Sequence, residues 1–424
     1  MPLNQEQQDA FIDVIALLND PAKKYHFITG GGGVGKTFTI STIADGILQH
    51  RPAGSPLHTV QITATTNKAV AVIAEAMPHR ATDIKTIYSF MNLRVKENFK
   101  DGTSTCIPTA KFVVHSGTLI IVDECSMIDH KLLEFIESGT DNTCKVLFVG
   151  DKNQLAPIKE KLSKVFTKGY SASVLNTPVR NADQPALMAL CEQVKQTVET
   201  GVFTPIVPVP GVIDIINGAQ LKGVLEREFH VEDSKKRVLS YTNNRVIQYN
   251  KFIRGIRGYT QPFEVGEIIS NNTAAELITK ERLYTDQMVR VMSIDSEDSD
   301  PKIVKGHFID MITMTVEDVV TMAQYQVTVF ANPEDRKNAM KFYAGNKDWQ
   351  PYFRIKNNYP DLRSVAASTT HKAQGSTYDI VVVDMEDIGK CTDNGQTARM
   401  QYVALSRPKH RIYIRGTLPE RYFQ

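Results

Sequence analysis

Residues 25–37 read Tyr-His-Phe-Ile-Thr-Gly-Gly-Gly-Gly-Val-Gly-Lys-Thr, an apolar strand-like run that leads directly into a glycine-rich loop. The loop has the spacing G-x-x-x-x-G-K-[ST], with Gly30, Gly35, Lys36 and Thr37 at the defining positions. In such a loop successive backbone N–H groups converge on phosphates, the lysine adds a point charge, and the threonine hydroxyl ligates Mg²⁺. The sequence therefore predicts a nucleoside triphosphatase. A mobile glycine turn is the alternative, which the flanking strand and helix patterns disfavour.

Composition sets the broad class of the protein. A chain of 424 residues is too long for one ordinary core, which predicts about two to four domains. Charged residues make up 23% and hydrophobic residues 42%, a balance typical of a globular protein, and the net charge of +2 argues against a histone-like one. Five cysteines without a C-x-x-C pair indicate a reduced compartment, with neither zinc nor disulfides. No apolar run approaches about 18 residues, so we expect no membrane contact and a cytoplasmic location.

Short β-rich runs alternate with helical patterns along both halves of the chain. In the first half we predict a helix at 67–77 and strands at 25–29, 59–63, 118–122 and 145–149. The alternation begins again near residue 180, with a helix at 244–254 and strands at 237–241, 364–368, 379–385 and 411–415. Continuous apolar strands between helices indicate parallel sheets that are covered on both faces, so the predicted fold class is α/β.

Two segments interrupt this alternation. Polar and turn-forming residues crowd residues 94–117, where Asp101-Gly102 is a strong hairpin signal, so we predict a β-hairpin inserted in the first domain. Short β-like runs and one helical pattern predict a small β-rich insertion in the second domain. The predicted domains are residues 1–178, residues 179–262 together with 362–424, and the inserted subdomain 263–361.

Two further strand ends carry polar side chains. The apolar run 119–122 ends in Asp123 and Glu124, a pair that can hold Mg²⁺ through its water shell and polarise an attacking water. A solvated strand end is the alternative, which the phosphate loop upstream disfavours. Residues 148–155 bring Gln154 to the same sheet edge, where it can reach the γ-phosphate or the attacking water. A solvent-facing glutamine after a Gly-Asp turn is equally compatible with this last pattern.

Five separated motifs, taken in order, resemble those of superfamily 1 helicases, and within them the Dda- and RecD-like branch, superfamily 1B. The segments that carry the resemblance are residues 30–37, 123–124, 150–155, 370–375 and 402–407. Their order and spacing match along nearly the whole chain. The resemblance implies two RecA-like P-loop domains with ATP and Mg²⁺ between them, an SH3-like insertion, and movement 5′ to 3′ on a strand.

The resemblance also implies roles at the nucleotide. Gln7 corresponds to a glutamine that recognises adenine, although a helix-capping role after Asn4 is equally compatible. Arg180 and Arg407 correspond to two arginines that stabilise charge on the γ-phosphate. The implied catalytic residues are Lys36, Glu124, Gln154, Arg180 and Arg407, and the implied metal ligands are Thr37 and Asp123. The implied nucleotide-binding residues are Gln7, Gly30, Gly31, Gly32, Gly33, Val34, Gly35, Lys36, Thr37, Phe38 and Gly375.

A third group of residues corresponds to positions that bind a nucleic-acid strand in the family. Threonine hydroxyls and N–H groups at helix starts suit backbone phosphates, although an ordinary helix cap explains Thr66 and Asn67 about as well. Tyr88 can stack on a base, whereas Phe90 is equally suited to the core. Phe99, near the hairpin turn, corresponds to a wedge at the duplex fork or packs on its own domain. The implied contacts are Thr66, Asn67, Lys68, Thr86, Tyr88, Phe90, Phe99, Thr242, Asn243, Thr370 and His371.

Together these residues predict an ATP-dependent DNA helicase that acts as a monomer on single-stranded and forked DNA. A single-strand-binding protein or other replication proteins are its expected partners. A superfamily 1 RNA helicase is one alternative, because the phosphate chemistry is identical and the ribose 2′-hydroxyl is read by other contacts. The other is a nucleotide-gated protein remodeller that does not separate strands. The presence of Glu124, Gln154 and both arginines disfavours the remodeller.

Overall fold

The computed structural model describes residues 3–50, 53–98, 100, 104–157, 160, 162–179, 183–304 and 307–423. In chain order, its helices are α1 Gln5–Asn19, α2 Lys36–Gly46, α3 Asn67–Ala76, α4 Ile87–Phe90, α5 His130–Ser138, α6 Pro185–Thr200, α7 Gly218–Phe229, α8 Asn243–Ile256, α9 Pro333–Gly345, α10 Trp349–Asn358, α11 Thr370–Ala373, α12 Met385–Ile388 and α13 Asn394–Leu405. Among these described helices, none is long and apolar enough to span a lipid bilayer.

The strands form two parallel sheets, one antiparallel sheet and two small two-stranded sheets within the described ranges. In chain order they are β1 Tyr25–Gly30, β2 Thr59–Ala64, β3 Lys85–Thr86, β4 Leu93–Glu97, β5 Ser104–Pro108, β6 Thr118–Asp123, β7 Lys145–Gly150, β8 Ser171–Leu175, β9 Ile213–Ile216, β10 Lys236–Ser240, β11 Ile268–Asn271, β12 Ala275–Glu276, β13 Arg282–Leu283, β14 Met288–Val304, β15 His307–Asp318, β16 Gln324–Phe330, β17 Leu362–Ser364, β18 Ala367–Thr369, β19 Tyr378–Asp384 and β20 Pro408–Arg415.

The first parallel sheet has the order β3-β2-β6-β7-β1-β8 and is buried on both faces. Successive side chains of a strand point to opposite faces, and β6 shows the result. Leu119 and Ile121 pack into one hydrophobic cluster with residues of α1, α2 and α3, whereas Ile120 and Val122 pack into a second cluster with residues of α5. The predicted parallel sheet with both faces covered is therefore confirmed.

Three neighbouring strands of this sheet position the candidate site. Strand β7 pairs in parallel with β1 on one side and with β6 on the other. Because parallel strands end at the same edge, the glycine loop after β1, the acidic pair after β6 and the Gly-Asp turn after β7 emerge together.

The second parallel sheet has the order β18-β10-β19-β20-β9 and forms the second α/β domain. The single strand predicted at 364–368 is wrong. Strand β17 ends at Ser364 and pairs antiparallel with β11 of the third sheet, whereas β18 begins at Ala367 and pairs in parallel with β10. The chain passes from one sheet to the other through Val365 and Ala366, and an apolar pattern cannot reveal such a change of partner.

The inserted region contains an antiparallel sheet of the order β16-β15-β14-β11-β17, together with α9 and α10. Its strands β14 and β15 form a long hairpin. An SH3-like fold for this region and the domain borders given above stay predictions.

The hairpin predicted at 94–117 is formed by β4 and β5, which pair from Leu93↔Pro108 to Glu97↔Ser104. It is therefore shorter than predicted, because residues 109–117 lie outside both strands. The Glu97 carboxylate accepts a 2.7 Å hydrogen bond from Asn357 of α10, which joins the hairpin to the insertion. Phe99 lies outside the described residues.

Candidate nucleotide site and nucleic-acid interface

The glycine loop connects the end of β1 to the start of α2, as a phosphate-binding loop requires. Gly35 is the N-cap of α2 and has φ +84°, a backbone conformation that residues with a side chain rarely adopt. The Lys36 ammonium donates hydrogen bonds of 2.9 Å to the carbonyls of Gly30 and Gly31. The lysine is thus held across the mouth of the loop, next to the N-terminus of a helix, where anions bind favourably.

Gln7 contacts both the loop and its own helix. Its side-chain amide donates to the Val34 carbonyl over 3.3 Å, and its oxygen accepts from the backbone N–H of Asn4. Asn4 in turn caps the backbone N–H of Gln7, so the two residues form a reciprocal capping box. Gln7 therefore has the capping role, and it also lies beside the phosphate loop. Recognition of adenine by Gln7 stays a prediction.

Of the acidic pair at the end of β6, Asp123 is buried and Glu124 is half-buried. Burial and the neighbouring Glu124 carboxylate raise the pKa of Asp123 to about 7, against the opposing effects of the Glu124 N–H and of Lys36. Glu124 has φ 53°, which is unusual for a residue other than glycine, and its carbonyl accepts a hydrogen bond from the Thr65 hydroxyl. Its Oε2 atom is buried without a hydrogen-bond partner in the described structure. A carboxylate on a strained backbone, with one buried oxygen that is free to accept a hydrogen bond, is suited to bind a reacting water.

Gln154 is 3% exposed, so the solvent-facing alternative for this residue is wrong. The turn before it is held by Asp151, whose carboxylate caps the N–H of Asn153 at 2.9 Å. The side-chain oxygen of Gln154 is buried and, like that of Glu124, unpaired within the described residues. The two unpaired acceptors follow the neighbouring strands β6 and β7 at the same edge of the sheet. Unpaired buried acceptors at this edge fit a site that binds a water molecule next to a phosphate.

The second domain reaches into this cleft with Arg407. Its guanidinium is 3% exposed and donates to the Val403 carbonyl at 2.9 Å, the Ser376 carbonyl at 3.1 Å and the Ser406 hydroxyl at 2.8 Å. These bonds fix its orientation within the second domain. Its Nη2 atom lies 3.4 Å from the position that a Cβ atom would take on Gly32, in the phosphate loop. The predicted juxtaposition of this arginine with the loop is present in the structure.

The segment after α11 also faces the first domain. Gly375 has φ +76°, and a Cβ atom at this position would lie 3.4 Å from Glu124 Oε1. The neighbouring Gln374 donates a 3.1 Å hydrogen bond to the hydroxyl of Ser126, which follows the acidic pair. The second domain therefore lies close to Glu124.

Arg180, the other arginine implied by the resemblance, lies outside the described residues. The residue before it, Val179, donates a 2.8 Å backbone hydrogen bond to the carbonyl of Gly33. The chain that leads to Arg180 is thus attached to the phosphate loop.

The donor set fits a magnesium ion that is shared with phosphates. No cluster of three or more His, Cys, Asp or Glu side chains in the described chain forms a metal site by itself. Mg²⁺ in nucleotide sites instead takes one or two protein oxygens and completes its shell with phosphates and water. Asp123, whose pKa is raised by burial and by the neighbouring Glu124 carboxylate, and Thr37, at the start of α2, are oxygen donors of this kind. Phe38, which follows Thr37, is 38% exposed.

The implied strand-binding residues lie at four helix starts. In each case a threonine side chain caps the helix that follows a parallel strand: Thr66 before α3, Thr86 before α4, Thr242 before α8 and Thr369 before α11. Strands β2 and β3 are neighbours in the first sheet, and β18 and β10 are neighbours in the second. Each domain therefore presents two adjacent helix starts, including Asn67 and Asn243, with N–H groups that suit phosphates.

The capping residue of α11 is Thr369, which the sequence analysis missed in favour of Thr370. Thr370 is completely buried, and its hydroxyl donates to the Ser240 carbonyl at 3.2 Å. It can therefore position this helix start but offers no exposed atom to a strand. The adjacent threonines give no means of choosing between them, because the cap is decided by the backbone conformation. His371 is exposed, and partial desolvation by the surrounding protein lowers the pKa of its imidazole.

Three other implied contacts are engaged within the protein. Tyr88 is half-buried against the core of the first domain, and burial raises its pKa to about 12. Phe90 stacks on His115 at a ring distance of 4.1 Å, which agrees with the core alternative. The Lys68 ammonium donates a 2.8 Å hydrogen bond to the carbonyl of Lys372, so it joins the two domains. A base or phosphate contact by these residues stays a prediction.

A phosphate loop, an acidic strand end and an arginine from a facing α/β domain define a P-loop nucleoside triphosphatase with two domains. Residues 15–160 match the family model described as AAA domain, and residues 364–414 match that of the UvrD-like helicase C-terminal domain. These matches and the relatives below support a superfamily 1B helicase, an ATP-hydrolysing enzyme with two RecA-like domains.

Relatives and a solved structure agree with this assignment. The chain is 23% identical to the ATP-dependent DNA helicase dda of Enterobacteria phage T4 over 97% of this chain and 98% of that protein. It is 24% identical to the RecBCD enzyme subunit RecD of Buchnera aphidicola over 54% of this chain and 40% of that protein. The fold resembles that of the Pif1 helicase from Bacteroides in complex with ADP-AlF3 and ssDNA, with a TM-score of 0.54 and 15% identity over 100% of this chain and 94% of that chain.

Proposed function

We propose that this protein uses ATP hydrolysis to move 5′ to 3′ on single-stranded DNA and to separate the strands of a duplex. The observation that carries the proposal is the cleft between the two domains. Arg407 and Gly375 of the second domain lie against Gly32 and Glu124 of the first. A nucleotide held in this cleft contacts both domains, so its hydrolysis changes how the domains are held together.

Within the cleft each residue has a role that its surroundings support. Lys36 and the loop N–H groups bind the phosphates, and Arg407 stabilises the charge that develops on the transferred group. Glu124 accepts a proton from the attacking water, and Gln154 orients that water. Thr37 and Asp123 hold Mg²⁺, which neutralises phosphate charge when it is bound.

The DNA track runs over the capped helix starts of both domains. Phosphates of the strand bind at α3 and α4 in the first domain and at α8 and α11 in the second. Lys68 supports this arrangement, because its bond to the Lys372 carbonyl joins the start of α3 to α11 directly. Opening and closing of the cleft then alters the spacing between the two sets of contacts, which moves the protein along the strand.

The relatives support the DNA substrate and the direction. The T4 protein is named as an ATP-dependent DNA helicase, and the Pif1 structure contains single-stranded DNA. The proposed direction is the one that the resemblance to superfamily 1B implies. We further propose that the hairpin formed by β4 and β5 meets the fork, since the contact between Glu97 and Asn357 braces it on the insertion.

A comparison of tailed duplexes tests the direction and the unwinding together. We expect ATP-dependent strand separation of a duplex with a 5′ single-stranded tail and none of the same duplex with a 3′ tail. Unwinding of only the 3′-tailed substrate would contradict the direction. DNA-stimulated ATP hydrolysis without separation of either substrate would instead favour a protein remodeller, and stimulation by RNA alone would favour an RNA helicase.

Gly375→Ala should lower the rate of DNA-stimulated ATP hydrolysis by about tenfold to a hundredfold, because a small displacement of a catalytic group has an effect of this size. The positive φ adds about 1–2 kcal/mol of backbone strain. Because the added Cβ atom would lie 3.4 Å from Glu124 Oε1, at the limit of ordinary contact, a backbone shift that relieves this strain displaces Glu124. Gly201→Ala is the matched control. Gly201 has φ +75°, and none of the described residues has an atom within 4 Å of the added Cβ, so this variant has the same strain far from the site. Equal rates in the two variants would contradict the close approach of Gly375 to Glu124.

A further inference from the structure

Tyr402 is a residue of the second domain that contacts the phosphate loop through a hydrogen bond. It lies in the last turn of α13 and is 1% exposed. Its hydroxyl donates a 2.6 Å hydrogen bond to Asp151 Oδ2 and accepts a 3.2 Å hydrogen bond from the backbone N–H of Gly32. One oxygen atom therefore connects α13, the phosphate loop and the turn that precedes Gln154.

The Asp151 carboxylate accepts one of the hydrogen bonds that make this connection. It is 2% exposed, its Oδ1 atom accepts from the N–H of Asn153, and its Oδ2 atom accepts from Tyr402. Burial and the carboxylate hold the pKa of the Tyr402 phenol well above its usual range, so the hydroxyl remains a donor. A buried carboxylate needs such a donor, since an unpaired charge away from water is costly.

Arg407 lies two residues beyond the end of α13 and is bonded to its last turn. The Arg407 side chain is bonded to the carbonyl of Val403, one residue beyond Tyr402, and the Ser406 N–H is bonded to the carbonyl of Tyr402. The guanidinium thus moves with the end of α13. Its position over the phosphate loop depends on how that helix end is docked on the first domain.

Arg399, one helical turn earlier, strengthens the docking. Its Nη1 atom donates to the carbonyls of Lys152 at 2.5 Å and Gln154 at 2.7 Å. Tyr402 and Arg399 therefore hold both ends of the 151–154 turn against α13. The distance between Arg407 and Gln154 across the cleft is set by this contact.

We propose that Tyr402 is a positioning residue for ATP hydrolysis, which acts through its hydrogen bonds to Asp151 and Gly32 to align Arg407 and Gln154 at the phosphate. The inference deepens the proposed function and rests on it. Tyr402 does not itself react. Loss of its hydroxyl leaves the nucleotide-binding groups in place but weakens the attachment of α13 to the first domain. The two domains are then held less firmly in their relative position.

Tyr402→Phe tests this role, because it removes only the hydroxyl and keeps the buried ring. We expect kcat for ATP hydrolysis on single-stranded DNA to fall by about tenfold or more, the effect of losing a hydrogen bond to a charged group, while KM for ATP changes by less than about threefold. Tyr413→Phe is the control. Tyr413 is also buried, at 2% exposed, but its hydroxyl contacts Arg227 and Glu228 away from the cleft. The Tyr413→Phe variant should have the kcat and KM of the wild type.

Asp151→Asn provides a second measurement that does not alter the tyrosine. If both residues act through one hydrogen bond, adding Tyr402→Phe to Asp151→Asn should cost much less than Tyr402→Phe costs alone. A kcat within twofold of wild type for Tyr402→Phe, or losses that multiply in the double variant, would overturn the proposal. A wild-type protein without ATPase activity would contradict the proposed function instead, so the two failures are distinguishable.

Discussion

ATP hydrolysis is expected to be lost when Lys36 is replaced by alanine. The ammonium lies across the mouth of the phosphate loop, bonded to the carbonyls of Gly30 and Gly31, and no other lysine or arginine belongs to the loop at residues 30–37. Removal of one charge-stabilising donor from a phosphoryl-transfer site lowers kcat by about a hundredfold to a thousandfold. Steady-state phosphate release in the presence of single-stranded DNA measures the effect.

Lys222→Ala is the matched control for this variant. Lys222 lies on α7 of the second domain, its side chain is 69% exposed, and it pairs with Glu226 at 3.7 Å. Its hydrolysis rate should equal that of the wild type. If Lys36→Ala hydrolysed ATP at the wild-type rate, the assignment of the loop as the catalytic phosphate site would be wrong.

Replacement of Arg407 by alanine should abolish turnover and leave ATP binding largely intact. An arginine that stabilises the transferring phosphoryl group contributes about a thousandfold or more to kcat, because its contact matters chiefly in the transition state. The measurements are phosphate release and equilibrium binding of a fluorescent ATP analogue. Arg407→Lys keeps the charge but loses the planar fork of donors, so it should also be strongly impaired.

Arg411→Ala is the control for loss of a guanidinium from the same domain. Arg411 is partly exposed and pairs with Asp214 on β9, which is the edge strand of the second sheet. It should hydrolyse ATP normally. Because Arg407 is buried and bonded to three groups of its own domain, thermal unfolding of each variant should be recorded alongside activity. A folded Arg407→Ala protein with normal turnover would refute the transition-state role.

Local patterns predicted most of the two parallel sheets. The strand before the glycine loop, the strand before Asp123 and the helix that begins at Asn67 all lie within one or two residues of their predicted limits. Such elements are recognisable because each has a continuous apolar run or a helical period of its own. The same reasoning failed at 364–368, where two strands of different sheets follow one another without an intervening turn signal.

Helix α10 shows another limit. Pro351 lies within the first turn of this helix. In a polar segment without a clear helical period, the sequence pattern alone indicates that such a proline interrupts a helix. Within the first turn, however, proline removes only an N–H that has no partner inside the helix. The position of the helix start, which decides between the two interpretations, depends on packing in the insertion.

The sequence by itself determined the chemistry of the phosphate site. Residues 30–37 and the acidic pair at 123–124 specify it because glycine, lysine and carboxylate residues at fixed spacing act through the local backbone. Only the tertiary structure decided which groups complete the site. Gly32 and Tyr402 are 370 residues apart, and their hydrogen bond exists because two separate sheets pack with their strand ends facing. No local pattern encodes that contact, since it depends on the docking of one domain on the other.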